Sequence, residues 1–159
     1  MSAADIIETV QYLTFKLDEE VFALDVAKVR EILEYTGITK VPQTPDFMRG
    51  VINLRGSVVP VIDLRLKFGM SATERTVNTC IIVVEVELRD ETLILGVLAD
   101  SVQEVIEMEP EQIEAPPHIG THLNTDFIKG MGKHNNRFIM ILDSDKIFSG
   151  EELQAIVAE

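Results

Sequence analysis

The residues able to do covalent or metal chemistry are few, and their surroundings do not suit it. Cys80 is the only cysteine and stands in TCIIVVEV, an apolar run, so it reads as a small buried hydrophobe. A nucleophile would also need a partner base, and none is spaced to serve it. His118 and His122 are four apart, as two zinc ligands on one helix face would be. Pro116, Pro117 and Gly120 spoil a helix there, and no third ligand is evident. Gly130-Met131-Gly132-Lys133 lacks the spacing and the Ser or Thr of a phosphate-binding loop, and reads as a turn. Glu107, Glu109, Glu111 and Glu114 do not match a calcium loop and read as a solvated acidic face. Paired carboxylates could in principle do acid–base work, but 27 acids generate many chance pairs. A small β-barrel hydrolase using an acid pair is the alternative of another class, without a nucleophile–base set to support it. No metal or cofactor is expected.

Two features suit binding better. Asn53-Leu54-Arg55-Gly56 lies between the β-branched runs Val51-Ile52 and Val58 to Ile62, which is turn chemistry. An arginine on a tight turn is a rigidly presented cation with a planar donor fork. The plain alternative is a solvated hairpin arginine. The second feature is a supply of short apolar strands, whose unpaired edges offer docking surface or else simply line the core.

The elements that must position these residues are mostly strands. Leu13, Phe15 and Leu17 alternate with Thr14 and Lys16, the pattern of a half-buried strand, and Val21 to Leu24 returns after a polar turn. Asp25 is placed to cap a short helix over Val26 to Arg30, and Val29 to Tyr35 fits helix or strand. Pro60 within the second β-branched run points to an edge strand or a bulge. Strands are predicted over Thr79 to Leu88, Thr92 to Leu98, Val102 to Met108 and Arg137 to Leu142, with a loop at 69–76. Residues 149–159 carry a short amphipathic C-terminal helix with Ser149 as its cap. Short strands with closely spaced turn signals mean a mostly-β sandwich or barrel.

The 159-residue length allows one domain, or two small ones sharing a core. Apolar residues make up 46%, enough for a globular core. Fourteen Lys and Arg against 27 Asp and Glu give a net charge of −13, which repels nucleic acid and anionic membrane surfaces. A single cysteine cannot form an internal disulfide. The first ten residues lack a basic region and a long apolar run, so no signal peptide and no membrane insertion are expected.

A repeat runs through the chain. At an offset of 73, Leu24 meets Val97, Val29 meets Val102, Glu31 meets Glu104 and Glu34 meets Glu107. At an offset of 80, Phe47-Met48-Arg49-Gly50 meets Phe127-Ile128-Lys129-Gly130, and Val61-Ile62-Asp63 meets Ile141-Leu142-Asp143. The physical reading is two similar small barrels packed as one body, each marginal alone, so a shared apolar seam is expected.

The runs VFALDVAKVREILEY, TKVPQTPDFMRGVINLRGSVVPVIDLRLKFG and LGVLADSVQEVIEMEPEQI resemble the CheW family of chemotaxis coupling proteins. The likeness covers about residues 11–150, and its most specific block is G-V-x-N-L-R-G-x-x-V-P-V-x-D-L. It implies two SH3-like five-stranded β-barrel subdomains around a shared core, with a few short helices. The domain would span 8–150, in approximate halves 11–70 and 76–148 that can exchange strands. The resemblance further implies a non-catalytic, cytoplasmic adaptor, recruited to membrane-bound receptor arrays. Its partners would be the cytoplasmic tip of chemoreceptors and the regulatory domain of the histidine kinase CheA. Matched residue by residue, the receptor-binding set is Val29, Glu31, Gly50, Asn53, Arg55 and Val105. Arg55 would engage carboxylates or carbonyls, Glu31 would brace Arg55 or meet a receptor cation, and Gly50 would be a backbone position that tolerates no side chain. A kinase contact falls at Glu114, His118 and Ile119, where this chain departs from the basic, acidic and aromatic residues of well-studied members. The CheV and CheA proteins share the domain, but the chain has no room for a receiver or ATP-binding domain. A CheW-like docking module of a non-chemotaxis CheA-type pathway remains the nearest alternative.

Overall fold

The computed structural model describes residues 9–115 and 127–157. Its strands are β1 (Val10–Leu17), β2 (Glu20–Asp25), β3 (Val29–Glu34), β4 (Met48–Leu54), β5 (Ser57–Asp63), β6 (Cys80–Leu88), β7 (Glu91–Ala99), β8 (Ser101–Met108), β9 (Ile113–Glu114), β10 (Ile128–His134) and β11 (Arg137–Leu142). Two short helices join them, α1 (Leu64–Lys67) and α2 (Gly150–Val157). The segment left open between helix and strand is β3. The helix expected over Val26 to Arg30 shrinks to one 3₁₀ turn, Val26–Lys28, started by the Asp25 carboxylate accepting from the Ala27 N–H at 2.8 Å. Val29 already pairs with Val84 of β6, which ends the turn.

The strands form two sheets, in the orders β3-β6-β7-β5-β4 and β8-β1-β2-β11-β10-β9. Each sheet takes strands from both approximate halves of the chain. The hairpin β1–β2 joins the C-terminal strands, and the hairpin β6–β7 joins the N-terminal ones. Under the internal repeat the two orders are the same order. The parallel pairing Val61–Gly96 of β5 and β7 recurs as Ile141–Ala23 of β11 and β2. The bulge between Met48 and Gly50 recurs between Ile128 and Gly130, and the Asp63 N–H on the Phe47 carbonyl (2.7 Å) recurs as Asp143 on Phe127 (2.8 Å). The duplication is therefore structural, and the two units exchange hairpins.

Three apolar clusters follow from this. One lies inside each curled sheet: Ile52, Val59, Val61, Ile81, Val83 and Leu98 in the first, and Tyr12, Ala23, Ile106, Met108, Ile139 and Ile141 in the second. The largest lies between the sheets and draws on both, including Phe15, Phe22, Ile62, Leu64, Ile82, Val97, Leu142 and Phe148. A strand between two cores is apolar on both faces. Hence Tyr12 to Phe15 are all buried, where the alternation had suggested a half-buried strand. Thr14 is tolerated there because its hydroxyl donates to the Glu104 carbonyl (2.7 Å) and accepts from the Glu104 N–H (3.0 Å), filling the gap in the ladder at a bulge.

Two other readings are corrected. Pro60 lies on β5, an internal strand, but one residue before β7 joins at Val61, so its missing N–H breaks no rung there. The GMGK stretch is not a turn but the middle of β10. A Cβ at Gly130 would drive into Ile113, and one at Gly132 would lie 2.6 Å from the Met108 sulfur, so these glycines let neighbouring strands approach. The six-stranded sheet owes its extra member to the two-residue β9, which pairs with β10. In the five-stranded sheet the matching place holds a single bridge, Thr39–Val51, which brings the chain leaving one edge strand beside the other edge.

Candidate functional site

β4 and β5 meet at a two-residue turn. Arg55 (φ 50°) and Gly56 (φ 89°) both have positive φ between the paired Leu54 and Ser57, the type I′ geometry that matches the twist of a hairpin. Asn53 fixes the turn by accepting the Gly56 N–H on its side-chain oxygen at 2.8 Å. The Arg55 guanidinium reaches back to edge strand β3 and pairs with Glu31, Nη1 to Oε1 at 3.3 Å and Nη2 to Oε2. Glu31 is mostly covered, whereas the Arg55 side chain is 70% exposed. The carboxylate orients the cation and leaves most of its donor fork to solvent.

The other nominated residues have distinct places. Val29 packs against the shared cluster and supports the start of β3. Gly50 (φ 145°) is buried, and a Cβ there would collide with the Thr39 carbonyl and lie 2.8 Å from Ile38 Cγ2. Val105 is 52% exposed on β8, an edge strand of the other sheet. Arg55, Glu31, Gly50, Asn53 and Val29 thus belong to one sheet, and Val105 stands apart from them. Glu114 is exposed on β9. His118 and Ile119 lie outside the described residues.

Two grooves border this region. One, of about 770 Å³, is lined by Glu31, Leu54, Arg55, Val58, Leu93 and Ile156, among others. The second, of about 810 Å³, runs between β3 (Ile32 to Glu34), the 75–79 loop and Val102 of β8, and so spans the two sheets. The Arg75 guanidinium stacks over the Tyr35 ring at its edge, 4.5 Å from the centroid. Ile32 (45% exposed) and Val58 (73% exposed) are apolar surface that residue types alone could not single out. Their signal is the register: Ile32 falls between Glu31 and Leu33 on an edge strand, in step with Val105 under the repeat.

Burial pushes the Cys80 thiol above its usual range, which keeps it protonated and unreactive. Among the described residues no cluster of His, Cys, Asp and Glu could hold a metal ion.

The family model described as the CheW-like domain matches residues 11–152. The chain belongs to the CheW-like domain family. A Chemotaxis protein CheW of Klebsiella aerogenes is 36% identical over 146 residues, 92% of this chain and 86% of the relative. One of Helicobacter pylori is 35% identical over 140 residues, 88% of this chain and 82% of the relative. The crystal structure of scaffolding protein TtCheW from Thermoanaerobacter tengcongensis matches with a TM-score of 0.79 at 35% identity, covering 91% of this chain and 97% of that one. The CheW-like fold expected from the N-L-R-G block is the fold observed: mostly β, in two subdomains around a shared core. Among the described residues no helix is long and apolar enough to cross a membrane.

Proposed function

We propose that this CheW-like chain is a non-catalytic chemotaxis adaptor. It couples the cytoplasmic tip of chemoreceptors to the regulatory domain of the histidine kinase CheA, and works in the cytoplasm at membrane-bound receptor arrays. The observation that carries this reading is Arg55, a mostly exposed guanidinium fixed on a rigid turn by Glu31 beside an apolar groove. Such a group recognises carboxylates or carbonyls on a partner, while the flanking Val58 and Leu54 supply apolar contact. Glu31 orients the cation, Asn53 and Gly50 hold the backbone that presents it, and Val29 seats the strand that carries Glu31. Val105 and Ile32 extend the receptor side along the β8 and β3 edges. The kinase side is assigned to Glu114 on β9 and, from the sequence match alone, to His118 and Ile119.

The test is a titration with the receptor tip and the CheA regulatory domain from the same genome. Arg55→Asp is expected to bind the kinase domain like the parent and to lose the receptor. Loss of neither partner would remove Arg55 from the site, and failure of the parent to bind kinase would remove the adaptor reading.

A further inference from the structure

The groove beside Arg55 has a wall that does not come from the sheet. Ile156, on helix α2, lines it together with residues of the β4–β5 hairpin. Helix α2 is eight residues long, too short to be stable by itself, so its position depends on what holds it. Leu153 and Ile156 sink into the shared cluster, and Ser149 and Glu152 close a capping box, with the Ser149 N–H on Glu152 at 2.9 Å and the Glu152 N–H on the Ser149 hydroxyl at 3.1 Å. A further tie is Lys67, whose Nζ donates to Glu152 Oε2 at 2.6 Å and sits over the Phe47 and Phe148 rings, 5.4 and 5.8 Å from their centroids. Lys67 ends α1, and α1 continues directly from β5, the strand that leaves the Arg55 turn. Both walls of the groove are therefore linked to one ammonium: the hairpin wall along β5 and α1, and the Ile156 wall through Glu152.

We propose that Lys67 and Glu152 are positioning residues for receptor docking, which set the width of the groove by fixing α2 and Ile156 against it. This rests on the assignment of the Arg55 groove to the receptor. Neither side chain lines the groove, and the pair acts through Ile156.

The experiment measures binding of a receptor-tip fragment and of the CheA regulatory domain to the full chain, together with thermal stability. The variants are Glu152→Gln, Lys67→Met, Lys67→Arg and Ile156→Met, with Arg55→Asp as reference. Glu152→Gln and Lys67→Met are expected to weaken receptor binding about threefold or more, with kinase binding unchanged, while Lys67→Arg keeps the parent's affinity. Ile156→Met keeps the core volume but alters the wall, and is expected to shift receptor affinity alone. Unchanged receptor affinity in Glu152→Gln and Ile156→Met, whatever the stability, overturns the proposal. So does an equal loss toward both partners, since that reports folding. If Arg55→Asp also binds receptor normally, it is the assignment of the groove that has failed. Should Glu152→Gln not fold, Lys67→Met against Lys67→Arg decides the matter in the same way: equal receptor affinity in the two overturns the proposal.

Discussion

The Arg55 guanidinium lies against the Glu31 carboxylate, tying the tip of the β4–β5 hairpin to edge strand β3 on the far side of the same sheet. The two residues are 24 positions apart in the chain, and the pair stays at the surface. An exposed ion pair contributes little to stability, about 0–1 kcal/mol, so its consequence lies in orienting a cation.

Arg55 also occupies a backbone conformation that costs a side-chain-bearing residue about 1 kcal/mol. Arg55→Gly should therefore leave the protein as stable as the parent or slightly more so, while removing the guanidinium. The expected outcome is an unchanged or raised melting temperature with receptor coupling lost. A parallel loss of both would mean that the ion pair holds the barrel together.

Gly50 and Gly37 make a controlled comparison. A methyl group at Gly50 meets the Thr39 backbone in a strand crossing that cannot give way, at a positive φ; at Gly37 nothing lies within 4 Å. Gly50→Ala should cost about 3 kcal/mol or more, and Gly37→Ala should stay within about 0.5 kcal/mol. Urea denaturation measures both.

Thr14→Val keeps the shape but leaves the N–H and C=O of Glu104 on edge strand β8 without the hydroxyl that pairs with both. A loss of about 1–3 kcal/mol is expected. Hydrogen exchange should quicken first along β8, whose pairing with β1 the hydroxyl completes. A neutral Thr14→Val would mean that backbone rearrangement satisfies those groups.

The Glu152 carboxyl carries a pH dependence. Burial acts to raise it, but the hydrogen bond and charge of Lys67 and the bonds from Ser149 outweigh burial and hold it below its ordinary value of 4.5. A folded-state value below the unfolded one means stabilisation that is complete above about 4.5 and is lost as pH falls through the lowered value. Glu152→Gln should therefore be less stable than the parent at pH 7, and the gap should narrow toward pH 3. A gap that stays constant across that range would mean that the charge of Glu152 is immaterial.

Much of this was legible in the sequence where chemistry is local. Arg55-Gly56 had to turn, Ser149 was placed to cap the last helix, and the paired offsets linked Glu31 to Glu104 and Gly50 to Gly130. What sequence could not supply is long-range. Hairpin β1–β2 and hairpin β6–β7 carry the same pattern, and nothing local says that each joins the other unit's sheet. Gly130 and Gly132 looked like turn residues because the side chains that crowd them, Ile113 and Met108, are distant in the chain. Pro60 looked like an edge marker because the point where β7 joins β5 is set by tertiary register. For the site, the N-L-R-G turn was visible from residue types, whereas the groove wall at Ile156 exists only once α2 has docked.

The most direct test of the adaptor reading is a three-component sedimentation of receptor tip, kinase regulatory domain and this chain, with Arg55→Asp in parallel. The account predicts that the parent brings kinase domain and receptor into one complex, and that Arg55→Asp retains the kinase domain and leaves the receptor behind. Co-sedimentation of all three components with Arg55→Asp, at the parent's level, would contradict it.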